Sequence, residues 1–168
     1  MSPVRPDLIE AWVFRLPAVG APPEYLLIRR ADDRIFPGIW QPVTGGLGAS
    51  EAVPAAALRE IQEETGLAGD DIEAFYDLDQ VGSFFAEELD AIVNSVIFAA
   101  RVRPDAAPRL SAEHVDLAWV RHEEAANRSV WPPYRASLDL LERIAADTEL
   151  ARWFELDRAG RRLARPPR

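Results

Sequence analysis

Three glutamates in one predicted helix are the residues of this 168-residue sequence that are best suited to chemistry. Glu60, Glu63 and Glu64 stand at positions i, i+3 and i+4, so a helix places them on one face, about 5–6 Å apart. Carboxylates at this spacing repel one another unless a cation neutralises them, and hard oxygen ligands favour Mg²⁺ or Mn²⁺. The pattern therefore predicts a divalent-metal site; the alternative is an acidic helix face exposed to solvent.

The residues around this cluster could complete such a site. Arg59 adjoins the three carboxylates, and a guanidinium can hold a carboxylate in a fixed orientation. Gly45 and Gly46 precede the helix, and residues without a side chain let the backbone pass close to a metal. A carbonyl oxygen of this loop could then join the coordination shell.

The whole segment from Gly45 to Leu67 reads GGLGASEAVPAAALREIQEETGL. Its glycines, glutamates, arginine and apolar residues resemble the Nudix box at every specified position and spacing. In most members of that family five residues separate the second glycine of the pair from the first glutamate. Here five residues separate Gly45 from Glu51, so the loop is one residue shorter and Gly45 fills the motif position.

The resemblance implies a single domain over residues 1–168 with the Nudix α-β-α sandwich, an α+β fold in which helices flank a mixed sheet. It also implies hydrolysis of a pyrophosphate bond in a nucleotide, with Mg²⁺ or Mn²⁺ as cofactor. Carried over by position, the implied roles are metal binding for Glu60, Glu63, Glu64 and Gly45, and catalysis for Glu64 and Arg59. Glu51 is implied to be structural.

Short segments on both sides of the box are similar to dihydroneopterin triphosphate pyrophosphatases, which are also described as dATP pyrophosphohydrolases. These segments are Arg29-Arg30, Trp40-Gln41, Val43-Thr44-Gly45, Glu113-His114 and Trp119-Val120. In that branch the glutamate before the histidine lies near the metals. The resemblance therefore implies that Glu113 is a further metal ligand or the general base; a surface carboxylate is the alternative.

The same flanks supply candidate substrate-binding residues. Arg29 and Arg30 could bind phosphates, because a guanidinium matches their geometry. Strand alternation lets only one of the two point into the site. Trp40 could stack on a base or pterin ring, although a core position at the sheet edge explains it equally well.

The elements that position these residues follow from local patterns. Residues 53–65 are predicted to form a helix, because Pro54 suits its first turn, alanines favour it and Gly66 can end it. A second amphipathic helix is predicted at about 133–147, extended or followed by residues 149–154, and the tail at about 157–168 is predicted to be flexible. Strands are predicted at 9–16, 25–28, 74–81, 93–102 and 117–120.

Composition limits the class of protein. A hydrophobic content of 48% suits one compact domain, and no apolar run is long enough to cross a membrane. The N-terminus lacks the apolar stretch of a signal peptide, so a cytoplasmic location is expected. The absence of cysteine excludes disulfides and cysteine-bound zinc. A net charge of -9 argues against binding a nucleic acid polymer, but arginines and a cation can still neutralise a nucleotide.

Three functions remain open at this point. The leading one is hydrolysis of a nucleoside triphosphate or pterin-nucleotide triphosphate to a monophosphate and pyrophosphate. The same chemistry also suits ADP-ribose, a nucleotide sugar or a dinucleoside polyphosphate. The third is a non-catalytic Nudix domain that binds nucleotides, which the intact Glu60, Glu63 and Glu64 disfavour. A homodimer is a further possibility on which the sequence does not decide.

Overall fold

The computed structural model describes residues 4–164, which form eight strands and four α-helices. The strands are β1 (Leu8–Arg15), β2 (Glu24–Arg30), β3 (Trp40–Gln41), β4 (Val43–Gly46), β5 (Ile72–Ala86), β6 (Ala91–Val102), β7 (His114–Val120) and β8 (Glu155–Leu156). The helices are α1 (Val53–Thr65), α2 (His122–Arg128), α3 (Pro133–Ala146) and α4 (Thr148–Phe154). No helix in this part of the chain combines the length and apolar character needed to cross a membrane.

One mixed sheet connects all the strands. Its main order is β3-β2-β1-β6-β5-β8, with β4 paired to β1 and β7 paired to β2. β1 and β6 run parallel, whereas the other pairs are antiparallel. β1 pairs with β2 over residues 13–15 but with β4 over residues 8–11. The sheet therefore divides between β1 and β2. The branch that contains β4 lies next to α1, and β2 ends beside the loop before β7.

Each face of the sheet packs against helices through its own hydrophobic cluster. Side chains alternate between the two faces along a strand, so Ile9 and Val13 pack on one side with Ile61 of α1. Trp12 and Phe14 of the same strand pack on the other side with α3. Helices on both faces of a mixed sheet make an α-β-α sandwich.

The bounds of α1 confirm the predicted helix at 53–65. Pro54 lies in the first turn, where its missing N–H breaks no helical hydrogen bond. Gly66 ends the helix with a φ of 71°, in the left-handed region that glycine adopts without steric cost. Its N–H donates to the carbonyl of Gln62. The helix that carries the candidate site is thus specified locally at both ends.

Other elements differ in extent from their predictions. β5 and β6 are longer than predicted and form a hairpin that turns through Glu87–Leu89. α2 was not predicted, because seven residues give too short an apolar pattern to recognise. In the tail predicted to be flexible, Arg158 donates to the carbonyls of Gly69 and Ile72, and Arg162 pairs with Asp77. Residues 165–168 of that tail lie outside the described residues.

Candidate active site

Strand β4 passes directly over the glutamate face of α1. A Cβ atom built on Gly45 would lie 2.0 Å from Cδ of Glu60, whereas one on Gly46 would meet no atom within 4 Å. The backbone N–H of Thr44 lies 3.4 Å from Oε2 of Glu64. Gly45 is therefore the glycine that makes the close approach, at the position that the box spacing assigned to it.

Arg59 connects three glutamates to the loop before α1. Its guanidinium lies 2.8 Å from Glu51, 2.6 Å from Glu60 and 2.9 Å from Glu63, and it donates to the carbonyl of Gly46 at 3.0 Å. The hydrogen bond from Arg59 holds the pKa of Glu51 below its usual range, and these carboxylates raise that of Arg59. Arg59 therefore fixes the orientation of the carboxylates. Glu51 stabilises the loop before α1, because it accepts a hydrogen bond from the N–H of Gly48 as well as from Arg59.

Negative charge accumulates around Glu64. Its side chain is 5% exposed, and burial, with the charge of Glu60 second, raises its pKa to about 8. Burial likewise raises the pKa of Glu60, with Glu63 and Glu113 adding to the effect. Buried carboxylates whose charged forms are this unfavourable are stabilised by a nearby cation.

This set of donors fits a divalent cation. Glu60, Glu63 and Glu64 offer hard oxygen ligands, and the Gly45 backbone lies beside Glu60. Among residues 4–164, no three histidine, aspartate or glutamate side chains lie close enough together to hold a metal ion without rearranging. Arg59 engages one oxygen each of Glu60 and Glu63 in this arrangement, so binding a cation there requires the two side chains to release Arg59 or to use their second oxygens.

Glu113, which is distant in sequence, joins the same cluster. It precedes β7, and its charge contributes to the raised pKa of both Glu60 and Glu64. Its carboxylate lies 3.5 Å from the guanidinium of Arg34, and its carbonyl accepts from the N–H of Ala31. The loop after β2 thus holds Glu113 next to the glutamates of α1.

The two candidate arginines of β2 have different surroundings. Arg29 lies opposite Trp40, and Arg30 lies opposite His114 after an irregularity in the strand register. Arg30 is the one whose charge acts on Glu64. Within the described chain, Nε of each arginine is buried without a hydrogen-bond partner. The structure therefore brings Arg30 to the glutamate cluster and leaves Arg29 beside Trp40.

Trp40 lies at the edge of the core, the alternative that the sequence left open. It is partly buried against the cluster under α3, and the guanidinium of Arg128 lies 4.9 Å from its ring centre. His114 is buried, and both its ring nitrogens lack a hydrogen-bond partner among residues 4–164. Burial, with Arg30 second, lowers its pKa to about 4, so the ring is neutral at pH 7.

Most of the chain matches one known protein family. Residues 11–141 match the model of the NUDIX domain. The chain belongs to the Nudix family. The segment predicted to be the Nudix box, residues 45–67, lies within the matched range, and the charge of Glu113 acts on Glu60 from a loop outside that segment.

Curated relatives point to the same family. The nucleoside triphosphatase NudI of Salmonella arizonae is 35% identical over 107 residues, which cover 61% of this chain and 76% of that protein. NudI of Escherichia coli O139:H28 is 30% identical over 121 residues, which cover 69% of this chain and 86% of that protein. An octanoyltransferase of Myxococcus xanthus is 36% identical over 129 residues, 76% of this chain. The chain spans 34% of that protein's length and 32% of Nudix hydrolase 10 of Arabidopsis thaliana.

Solved structures confirm the predicted fold class. A NUDIX hydrolase from Listeria monocytogenes superposes with a TM-score of 0.70 at 24% identity, covering 86% of this chain and 97% of that one. The dihydroneopterin triphosphate pyrophosphohydrolase of E. coli superposes with a TM-score of 0.67 at 21% identity, and the match covers 81% of this chain and 94% of that one. At these identities the likeness shows the α+β Nudix sandwich alone.

Sequence reasoning missed two long-range contacts of the loop between β2 and β3. Arg34 lies in the polar loop after β2, where no local pattern distinguishes an arginine that pairs with Glu113 from one in solvent. Phe36 and its contact with Trp131 in the chain between α2 and α3 also went unnoticed. Both contacts join segments about 80 to 100 residues apart in sequence, so only the folded chain reveals them.

Proposed function

We propose that this chain hydrolyses a nucleoside triphosphate, or a triphosphate with a similar ring such as a pterin, to a monophosphate and pyrophosphate, using Mg²⁺ or Mn²⁺. The observation that carries the proposal is the convergence of charge from Glu60 and Glu113 on buried Glu64, with Gly45 packed against Glu60. The name of the NudI relatives, nucleoside triphosphatase, favours this substrate class over others hydrolysed by the family. The likeness in fold to a dihydroneopterin triphosphate pyrophosphohydrolase is compatible with it.

Glu60, Glu63, Glu64 and the carbonyl of Gly45 are the groups that would hold the cation. A divalent cation bound there would neutralise charge on the phosphate oxygens and make a water molecule more acidic. Arg59 orients Glu60 and Glu63 through its hydrogen bonds, so it acts through these ligands.

Glu113 is our candidate for the group that accepts the proton of the attacking water. It approaches the cluster from the loop before β7, so it is independent of the carboxylates that Arg59 binds. Arg34, 3.5 Å from its carboxylate, limits where that carboxylate can point. A general base of this kind is effective only when it reaches the reacting water within hydrogen-bonding distance.

Arg30 and Arg34 are our candidates for binding the phosphate chain. Arg30 acts electrostatically on Glu64, and Arg34 lies beside Glu113, so both guanidiniums border the carboxylate cluster. A guanidinium binds phosphate oxygens through paired N–H donors. Arg29, beside Trp40, would then contribute less to phosphate binding than Arg30 does.

A substrate panel with product identification tests this proposal. The purified chain with Mg²⁺ would be given dATP and the other nucleoside triphosphates, dihydroneopterin triphosphate, ADP-ribose, a nucleotide sugar and a dinucleoside polyphosphate. We expect a monophosphate and pyrophosphate from triphosphates. Glu113→Gln should lower kcat by about a hundredfold or more, and Glu64→Gln should abolish turnover, whereas exposed Glu149→Gln on α4 should match the wild type.

Three results would contradict the proposal in different ways. Hydrolysis of ADP-ribose, a nucleotide sugar or a dinucleoside polyphosphate without pyrophosphate release from any triphosphate would change the substrate class. Full activity in Glu64→Gln would remove the assigned site. Nucleotide binding without turnover of any substrate would favour a non-catalytic Nudix domain.

A further inference from the structure

Two aromatic side chains form an exposed pair. Phe36 lies in the loop between β2 and β3, and Trp131 lies in the connection between α2 and α3. Their rings meet edge to face, with centroids 5.4 Å apart and planes at 73°. Phe36 is 49% and Trp131 39% exposed. Neighbouring Ile35 and Val130 are exposed as well, so these residues form an apolar patch open to solvent.

The backbone at Phe36 is strained. Its φ is 55°, in the left-handed region that is unfavourable for a bulky side chain. Glycine would adopt this conformation freely, and Gly38 in the same loop does so with a φ of 74°. The fold therefore holds a phenyl ring in an exposed position against the preference of its own backbone. Strain of this kind is concentrated at ligand-binding positions.

Phe36 shares the loop between β2 and β3 with Arg34, a charged residue next to Glu113. Arg34, two residues before Phe36, lies 3.5 Å from Glu113. The segment that carries Trp131 is tied to the same region by a bridge between Trp40 and Ser129. A ligand whose phosphates lie along Arg34 and the glutamate cluster would therefore bring its other end to Phe36 and Trp131.

Trp40 is less suited to bind a ring. The Arg128 guanidinium lies over its ring at 4.9 Å, and the rest of the side chain packs on the core beneath α3. Stacking on Trp40 would first require Arg128 to leave. The exposed faces of Phe36 and Trp131 carry no such cover among the described residues.

We propose that Phe36 and Trp131 bind the planar base of the substrate, while its phosphates extend past Arg34 to the glutamates. This inference rests on the proposed function and assigns the base to a particular part of the same site. Stacking on aromatic side chains tolerates different bases, because every base has a π face. The pair therefore provides affinity for purine-like rings as a class and discriminates little between them.

Equilibrium binding of product-like ligands tests the pair without turnover. Titration calorimetry with Mg²⁺ would compare adenosine and guanosine monophosphates with ribose 5-phosphate, which lacks a base. We expect Phe36→Gly and Trp131→Ala each to raise Kd for both nucleotides by about tenfold or more, with Kd for ribose 5-phosphate unchanged. Because glycine suits the backbone at position 36, Phe36→Gly should keep the wild-type unfolding temperature.

Trp153→Ala is the matched control. Trp153 is 52% exposed on α4, which packs on β5 at the opposite end of the sheet from β3, so its loss should leave all three Kd values unchanged. Unchanged nucleotide affinity in both Phe36→Gly and Trp131→Ala would overturn the inference. So would an equal loss of ribose 5-phosphate binding, or wild-type protein that binds neither nucleotide. Base-dependent binding by a wild type that hydrolyses nothing would instead refute the proposed function and leave the base site standing.

Discussion

Glu64 shows how burial changes the chemistry of one residue of the box. It is the most enclosed of the three glutamates, and its pKa of about 8 means that the side chain is largely protonated at neutral pH when no cation is bound. Glu64 must ionise to bind a metal, and an ionised carboxylate buried without a cation destabilises the fold. The same burial that weakens the isolated fold gives the ionised form a strong preference for a cation.

This balance predicts how stability depends on pH without metal. In the unfolded chain the pKa of Glu64 is near its ordinary value of 4.5, whereas in the folded chain it is about 8. Between these two pH values the native state therefore keeps a proton that the unfolded state has lost. The free energy of unfolding therefore falls as pH rises through this range. Glu64→Gln cannot ionise, so at pH 8.5 in a chelator it should be more stable than wild type by about 4 to 5 kcal/mol.

Denaturant unfolding at several pH values measures the difference directly. Below pH 4 the wild-type and Glu64→Gln curves should converge, because Glu64 is then protonated in both native and unfolded states. A variant that is less stable than wild type at pH 8.5, or a difference that does not vary with pH, would contradict the raised pKa. Glu149→Gln, at an exposed position on α4, serves as the reference for a glutamate without burial.

At the scale of elements, the site depends on how closely β4 lies over α1. The two glycines of β4 differ sharply in surroundings, since only Gly45 faces Glu60. Helix α1 packs on the sheet through Ala56, Ala57 and Ile61, which are fully buried in the core, so it cannot shift easily to make room. The flexible part of this contact is the Glu60 side chain.

A pair of alanine variants tests the contact. In Gly45→Ala the new Cβ would overlap Glu60, which lies 2.0 Å away, so the carboxylate should be displaced. A misplacement of about 1 Å in a site can lower activity about a hundredfold, while the flexible side chain keeps the loss of stability small. Gly46→Ala should retain wild-type activity, because its Cβ meets no atom within 4 Å. Equal activity of the two variants in a kcat measurement would show that the approach of β4 does not matter.

At the scale of the whole molecule, the division of the sheet between β1 and β2 creates the site. β4 pairs with one branch, and β7 with the other, so the backbone of residue 45 and the side chain of residue 113 both approach α1. A cation bound at the glutamates would therefore sit where separate parts of the chain meet. Its binding should stabilise the whole domain, because only the folded chain assembles its ligands.

Thermal unfolding with and without Mg²⁺ checks this expectation. At a concentration about a hundred times Kd, binding adds about 2.7 kcal/mol to the free energy of unfolding. For a domain of this size that corresponds to a rise in Tm of roughly 5–10 °C. The rise should be much smaller for Glu64→Gln and unchanged for Glu149→Gln. An equal rise in all three proteins would place the stabilising cation elsewhere.

Local patterns were enough to predict the helix at residues 53–65 and the shared face of its glutamates. Helical periodicity and the residues that end a helix act over a few positions, so they can be read from neighbouring residues. The spacing of the box also identified the family, and with it the α-β-α fold. Strand extents were less predictable, because pairing partners lengthen β5 and β6 into one hairpin.

The tertiary structure alone decided which of the candidate groups meet. It brought Arg30, rather than Arg29, to Glu64, whereas the box spacing had already indicated Gly45 rather than Gly46. It also paired Arg34 with Glu113. These contacts depend on strand register and on loops that meet across long stretches of chain, where a shift of one residue turns a side chain to the other face. The sequence by itself determined the reactive groups and the helix that carries most of them, and folding determined their partners.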